Sequence, residues 1–153
     1  MVITMLKIIL LAGAIGWFQH SRFFWVLAWP GTVIHEFMHW IVGLVLLANP
    51  SKFSVIPKPP TDEGQVLGYV RFENVGWWNS LPIGLAPLIS VPVALYMAGT
   101  MHFAWTVTSV LGIWILASAI AQAWPSRQDW RIAFSEPVGV IAWGGLLYYV
   151  FTR

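Results

Sequence analysis

The sequence contains no cysteine and few charged residues, and both shortages restrict what the protein can be. Without cysteine there is no disulfide, and a metal ion has to be bound by histidine, carboxylate or water. Only 9% of the 153 residues are charged, whereas an ordinary soluble domain is about one quarter charged. The basic residues are scattered and the formal net charge is +2, so the sequence does not indicate a nucleic-acid-binding protein.

Apolar residues, by contrast, are abundant. They make up 58% of the chain, and the mean hydropathy is +0.72. So few charges cannot cover a globule of this size, and we expect most of the surface to face lipid. The 11 Trp and 4 Tyr agree with this, because amphipathic rings collect at membrane interfaces. We therefore predict an all-α polytopic membrane protein in which residues 1–153 form a single integral membrane domain.

Five apolar stretches predict about five transmembrane helices, since about 20 helical residues cross a bilayer. Pro30 and a polar cluster at His35 interrupt the second stretch, and the first and last are short for a full span. We expect the first stretch to be retained as a span rather than removed as a signal peptide. The five stretches are residues 3–18, 23–48, 81–98, 103–123 and 138–151.

The polar segment 49–79, between the second and third stretches, predicts a small β-hairpin at the membrane surface. Residues 52–57 alternate like a strand and residues 65–72 do so less cleanly. The intervening residues 59–64 contain two prolines and a glycine, which are typical of a turn. An irregular loop is the alternative.

The distribution of Lys and Arg predicts the orientation in the membrane. With five spans, six basic residues lie on one side and two on the other. We therefore expect the N-terminus, the hairpin and the loop 124–135 on the cytoplasmic side of a bacterial inner membrane. The six are Lys7, Lys52, Lys58, Arg71, Arg127 and Arg131, and the two are Arg22 and Arg153.

His35, Glu36 and His39 form the motif HExxH within the second apolar stretch. Residues four apart share a helix face, so both imidazoles can reach one zinc ion, and Glu36 lies where it can take a proton from a metal-bound water. A charged residue near the centre of a membrane helix costs about 3 kcal/mol, so such residues usually indicate function. The alternative is three polar side chains that satisfy one another inside a bundle.

A catalytic zinc takes three protein ligands and keeps one open position. Asp129 is the predicted third ligand, because it follows the fourth apolar stretch on the side where the histidines lie, and Ser126 can cap the helix that follows. Alternatively, Asp129 only caps that helix or pairs with Arg131. Glu136 is the second candidate. We expect the other acidic residues at the surface and the spare histidines at the interface: Asp62, Glu63, Glu73, His20 and His102.

Asn79 and Gly68 are the predicted substrate-binding residues. The Asn79 amide lies at the start of the third stretch, where it can bind the substrate backbone or a developing oxyanion, or alternatively cap the helix. The edge of the hairpin can add a substrate as an extended strand. Gly68 would permit a close backbone approach there.

These features resemble the site-2 protease family of intramembrane metallopeptidases. The resemblance rests on HExxH in a transmembrane helix, the surface hairpin after it, and the Pro- and Gly-rich helix start at residues 79–88, and it covers about residues 30–130. It implies a compact core of helices around one zinc ion, cleaving membrane-embedded or juxtamembrane segments of other proteins. The family's usual pattern for the third ligand, Asn and Pro followed by Leu-Asp-Gly, is absent.

We therefore expect a zinc-dependent intramembrane endopeptidase that acts on a membrane protein or peptide, with a metal-activated water and Glu36 as general base. A non-enzymatic zinc-binding membrane scaffold, or a subunit of a larger membrane assembly, is the alternative. A transporter or channel has less support, because the apolar stretches carry almost no charge outside HExxH and show no repeat.

Overall fold

The computed structural model describes residues 2–18, 24–56, 67–100 and 106–153. As predicted, they form a mostly helical structure with one small antiparallel sheet. A 3₁₀ turn, Ala86–Ile89, joins α3 to α4. The elements in chain order are α1 (Val2–Trp17), α2 (Phe24–Val45), β1 (Pro50–Ser54), β2 (Tyr69–Phe72), α3 (Ser80–Leu85), α4 (Ser90–Thr100), α5 (Val107–Ala121), α6 (Arg127–Ala133) and α7 (Pro137–Thr152).

The third apolar stretch was predicted as one helix, but the structure divides it into α3, the 3₁₀ turn and α4. Pro87 has no amide hydrogen to donate to the carbonyl four residues earlier, and the chain tightens there. Together Ser80–Thr100 make 21 residues that are long and apolar enough to cross a membrane. Among the described helices this is the one that meets both criteria; α2 has 22 residues but carries the polar motif.

Helix α5 lies at the centre of the bundle, in contact with α1, α2 and α4. Small side chains dominate this core and allow the helices to approach closely. At Gly31 of α2 a side chain would overlap the backbone carbonyl of Ser118 in α5. The last turn of α5 is therefore held against α2, one turn before His35. The core consists of Ile8, Ala12, Ile15, Ala28, Ala94, Ala98, Ile113, Leu116 and Ala117.

Helix α6 packs equally closely on α3, where Gly84 leaves room for it. A Cβ at Gly84 would lie 2.5 Å from the carbonyl oxygen of Asp129. The predicted cap at Ser126 is confirmed: its hydroxyl accepts a hydrogen bond from the Asp129 amide, and the Asp129 carboxylate accepts one from the Ser126 amide. This reciprocal capping box fixes the first turn of a helix of only seven residues.

The two antiparallel strands of the predicted hairpin are confirmed, but they are shorter than predicted. β1 covers Pro50–Ser54 rather than 52–57, and β2 covers Tyr69–Phe72 rather than 65–72. Residues 57, 65 and 66 and the predicted turn 59–64 lie outside the described residues. Lys52 pairs with Arg71, and a bulge separates it from Pro50. After β1 the hydroxyl of Ser54 accepts a hydrogen bond from the Ile56 amide, a local bond that competes with continued strand pairing.

The contact at Gly31 gives a first prediction. Replacing Gly31 by Ala would press a methyl group into rigid α5 backbone, and we expect a loss of about 1–3 kcal/mol in stability. Gly13 in α1 has no heavy atom within 4 Å of an added Cβ, so Gly13→Ala is the matched control and should be neutral or stabilising. Thermal unfolding of the purified variants, followed by circular dichroism, measures both. Equal stability of the two variants would contradict the proposed helix contact.

Candidate metal centre

The HExxH motif lies on α2, where its two histidines face the same side of the helix. Their ring centroids are 4.9 Å apart and their Nε2 atoms 3.2 Å apart. His39 is buried, and His35 is only slightly more accessible. Successive turns of one helix therefore direct both Nε2 atoms into the same small volume, as the four-residue spacing predicts.

Asp129, at the start of α6, completes this group. Its Oδ1 lies 3.0 Å from Nε2 of His39, and its Oδ2 lies 3.2 Å from Nε2 of His35. One ligand atom from each of the three residues lies within 4.8 Å of the others, so His35, His39 and Asp129 form a cluster that can hold a metal ion. We call these three residues the metal cluster. The structure thus brings together the three residues predicted as ligands.

Backbone carbonyls on two other elements fix the orientation of both imidazoles. The carbonyl of Gln122, just after α5, lies 2.6 Å from Nδ1 of His35, and the carbonyl of Ile83 in α3 lies 2.8 Å from Nδ1 of His39. Because a carbonyl oxygen only accepts, each Nδ1 carries the hydrogen. In a neutral imidazole the lone pair of Nε2 is then left for a metal, which is the usual arrangement of metal-binding histidines.

A proline follows each of these carbonyls. In a continuous helix the Ile83 carbonyl would accept a hydrogen bond from residue 87, but Pro87 has no amide hydrogen. The carbonyl accepts the Ala86 amide instead, and its second lone pair is available to His39. Pro125 likewise cannot donate to Gln122, three residues earlier, and the amide of Ser126 is bonded to Asp129. The sequence alone did not single out these two carbonyls, because every residue has a backbone carbonyl. A proline three or four residues after each of them was the available sequence signal.

The Asp129 carboxylate has two roles at once. Burial opposes its ionisation, but when the imidazoles of His35 and His39 are protonated, their hydrogen bonds and positive charge outweigh burial and hold the pKa of this carboxyl well below its ordinary value. The same carboxylate accepts the amide of Ser126 in the capping box. The two sequence interpretations of Asp129, ligand and helix cap, are therefore compatible, and its ion pairs within the described residues are with the histidines rather than Arg131.

Glu36 lies beside the metal cluster and is only 8% exposed. The hydrogen bonds of the described residues include none to its carboxylate, so both oxygens stay available to a water or a substrate. Gly68, just before β2, lies against it: an added Cβ would be 2.7 Å from Cγ and 3.0 Å from Oε1 of Glu36. The hairpin therefore passes directly beside the predicted general base.

Asn79 is completely buried and serves the fold. Its Oδ1 accepts the amide of Gly76, and its Nδ2 donates to the carbonyls of Leu46 and Asn74. The Leu46 carbonyl belongs to the end of α2, where helical carbonyls lack intrahelical partners. We therefore assign Asn79 a structural role that ties the end of α2 to the start of α3; its side chain makes no cap bond to α3.

The other candidate residues lie elsewhere. Glu136 immediately precedes α7 as its N-cap residue, without a side-chain cap bond, and is not part of the metal cluster. Glu73 accepts a hydrogen bond from the side chain of Asn49 on the hairpin. The predictions for Asp62, Glu63, His20 and His102 fall outside the described residues.

Comparison with known proteins gives the chain no family. No protein-family model, no curated protein and no solved structure matches it. The function must therefore be inferred from the geometry of the metal cluster and the residues around it.

Proposed function

We propose that this protein is a zinc-dependent intramembrane endopeptidase similar to the site-2 protease family. One observation carries the proposal: two imidazole nitrogens and a carboxylate converge beside Glu36, a carboxylate with no hydrogen-bonded partner among the described residues. Mutual satisfaction of buried polar groups explains the contacts within the metal cluster. It does not explain why Glu36, next to them, has no hydrogen-bonded partner in the part of the chain that the structure describes.

The ligand types of the metal cluster support zinc as the metal. Two imidazole nitrogens and a carboxylate oxygen, one atom from each residue, lie within 4.8 Å of one another, and zinc takes nitrogen and carboxylate ligands. Two histidines and one carboxylate are also the ligand set of several zinc peptidases, which leave the fourth position open.

The residues around the cluster suit peptide hydrolysis. Zinc bound here would polarise a carbonyl and lower the pKa of water to about 7. Glu36 takes the proton of the attacking water as general base and then delivers it to the leaving amine. His35 and His39 stay fixed throughout by the carbonyls of Gln122 and Ile83, so no ligand has to reorient during the reaction.

The surface supports a location in a membrane. Large apolar side chains are widely exposed, and the only buried residue of α7 is Gly139. A water-facing surface of this kind would promote aggregation, whereas lipid accommodates it. We propose that α1, α2, α3–α4, α5 and α7 cross the membrane, with the N-terminus and the metal cluster toward the cytoplasm. Exposed apolar residues of α7 include Val138, Ile141, Leu146, Leu147 and Val150.

The substrate class follows from this location and from the hairpin. Among the described residues β2 pairs with β1 alone, so its other edge can add an extended segment. A membrane-embedded or juxtamembrane segment that unwinds along β2 would bring its backbone to Gly68 and Glu36. Gly68 contributes by its lack of a side chain, since any Cβ would occupy the space next to the Glu36 carboxylate.

The role of Asp129 as ligand can be separated from its role as cap. We expect purified wild-type protein to contain about one zinc ion per chain and Asp129→Ala to lose most of it, because one of three ligands is gone. Ser126→Ala removes the other half of the capping box, which costs about 1 kcal/mol, but leaves all three ligands. It should keep its zinc. The zinc content of the three proteins is measured by elemental analysis. Full zinc occupancy in Asp129→Ala would show that Asp129 is not a ligand.

The catalytic role of Glu36 gives a second test. Glu36→Gln keeps the shape of the side chain but cannot take a proton, so we expect zinc to be retained and peptide cleavage to fall by about 10²–10⁴-fold. Cleavage is measured as new amino termini released from a mixed library of apolar peptides. Glu73→Gln, a change of the same kind at the exposed end of the hairpin, is the control and should cleave normally. Zinc binding without cleavage in the wild type would favour the non-enzymatic scaffold.

The contact between Gly68 and Glu36 gives a third test. The backbone of Gly68 is not in the left-handed region, so Ala fits its conformation, but the new methyl group would displace the Glu36 carboxylate. We expect Gly68→Ala to lose on the order of 10²-fold in cleavage with unchanged zinc content, as for a misplaced catalytic group. Gly76→Ala, where the nearest atom to a Cβ is 3.9 Å away, is the control. Wild-type cleavage by Gly68→Ala would show that this approach is unimportant.

A further inference from the structure

A groove of about 460 Å³ lies between β2 and α6. Tyr69, Arg71 and Phe72 of β2 form one wall, Gln128 and Ile132 of α6 form the other, and Lys52 of β1 also lines it. We call this the β2–α6 groove. The proposed catalytic step gives the β2–α6 groove no role.

Both walls of the groove adjoin the site along the chain. Tyr69 follows Gly68, where an added Cβ would meet Glu36, and Gln128 precedes Asp129 of the metal cluster. Each wall is therefore one residue away in sequence from a part of the proposed active site. A substrate extended along β2 from Gly68 would pass Tyr69 and Arg71 of the groove.

The two charged residues in the described lining of the groove, Lys52 and Arg71, are both positive. Lys52 and Arg71 are direct cross-strand neighbours, an arrangement of like charges that destabilises an isolated sheet. In the described part of the chain the ion pairs join Asp129 to the two histidines, and none involves Lys52 or Arg71. Both side chains are exposed. An anion placed between them would replace their repulsion by two attractive interactions.

We infer that the β2–α6 groove binds an extended segment of the substrate that carries an acidic side chain opposite Lys52 and Arg71. This rests on the proposed peptidase function and gives it a specificity. Gly68 and Arg71 are three residues apart, or about 10 Å along a strand at 3.3 Å per residue. The acidic residue therefore lies about three residues from the scissile bond.

A peptide fits the groove better than a lipid phosphate, which offers the same charge. The groove is walled by a strand with one unpaired edge in the described structure, and that strand begins one residue after Gly68, which lies against Glu36. Backbone pairing along β2 requires an extended chain. A lipid headgroup uses only the two cations.

Peptide binding to an inactive protein tests this independently of cleavage. The probes are two fluorescent peptides of identical apolar sequence, about ten residues long, one with a central Glu-Glu and one with Gln-Gln. They are titrated against zinc-loaded, full-length Glu36→Gln protein in phosphatidylcholine nanodiscs. At low salt we expect the acidic peptide to bind about threefold to tenfold more tightly, as for one or two exposed ion pairs. High salt should remove the difference.

Two double variants in the same background provide the comparison. Lys52→Gln with Arg71→Gln should abolish the preference for the acidic peptide. Arg127→Gln with Arg131→Gln removes the same charge from α6, outside the groove lining, and should keep it. Lys52→Glu with Arg71→Glu should reverse the preference toward a Lys-Lys peptide. Zinc content checks that each variant has folded.

The outcomes separate the two proposals. Equal binding of both peptides, or a preference that survives Lys52→Gln with Arg71→Gln, overturns the groove assignment whether or not the wild type cleaves. A preference that depends on Lys52 and Arg71, without cleavage by the wild type, supports the groove and rejects the peptidase. If these variants lose binding only to phosphatidylglycerol vesicles and not to the acidic peptide, the groove binds lipid and the inference is wrong.

Discussion

The metal cluster depends on two backbone carbonyls that lie at helix ends. Each holds the Nδ1 of one histidine, and this leaves both Nε2 atoms pointing at Asp129. A buried carbonyl without a donor is costly. The Ile83 carbonyl accepts the Ala86 amide at the end of α3 and also faces Nδ1 of His39. Among the described backbone hydrogen bonds none ends on the Gln122 carbonyl, so His35 is its donor. The bond that orients His35 is thus also the one that satisfies the carbonyl at the end of α5.

Close helix packing positions these carbonyls and Asp129 next to α2. Gly31 lets the end of α5 approach closely enough for Gln122 to reach His35, and Gly84 lets α6 approach α3 so that Asp129 faces the histidines. The amide of Asn79 joins the end of α2 to the segment that leads into α3, and α3 carries the carbonyl of Ile83. His35 and His39 lie on one helix, α2, so the sequence spacing sets their relation. Asp129 lies on α6 and is positioned by the packing of α6 on α3.

The sequence was most informative where one short segment determines the geometry. HExxH specifies its own spacing on a helix, and Ser126 with Asp129 specifies a capping box within four residues. The hairpin followed from alternation and turn chemistry, although Ser54 ends β1 early through a local bond. Asn79 was less predictable, because the same amide can cap a helix, bind a ligand or join two segments. The complete burial of Asn79 favours the role of joining two segments. That burial depends on how α2 and α3 pack, which a local sequence pattern does not specify.

The distance along the chain between His35 and Asp129 limits when the site can exist. These residues are 94 positions apart, and the segments between them form the hairpin, α3, α4 and α5. The ribosome must therefore complete α6 before a third ligand is present. Until then the chain holds two histidines and a glutamate on α2 but not the complete group of three residues that can hold a metal ion. The metal cluster is therefore among the last features of the fold to form.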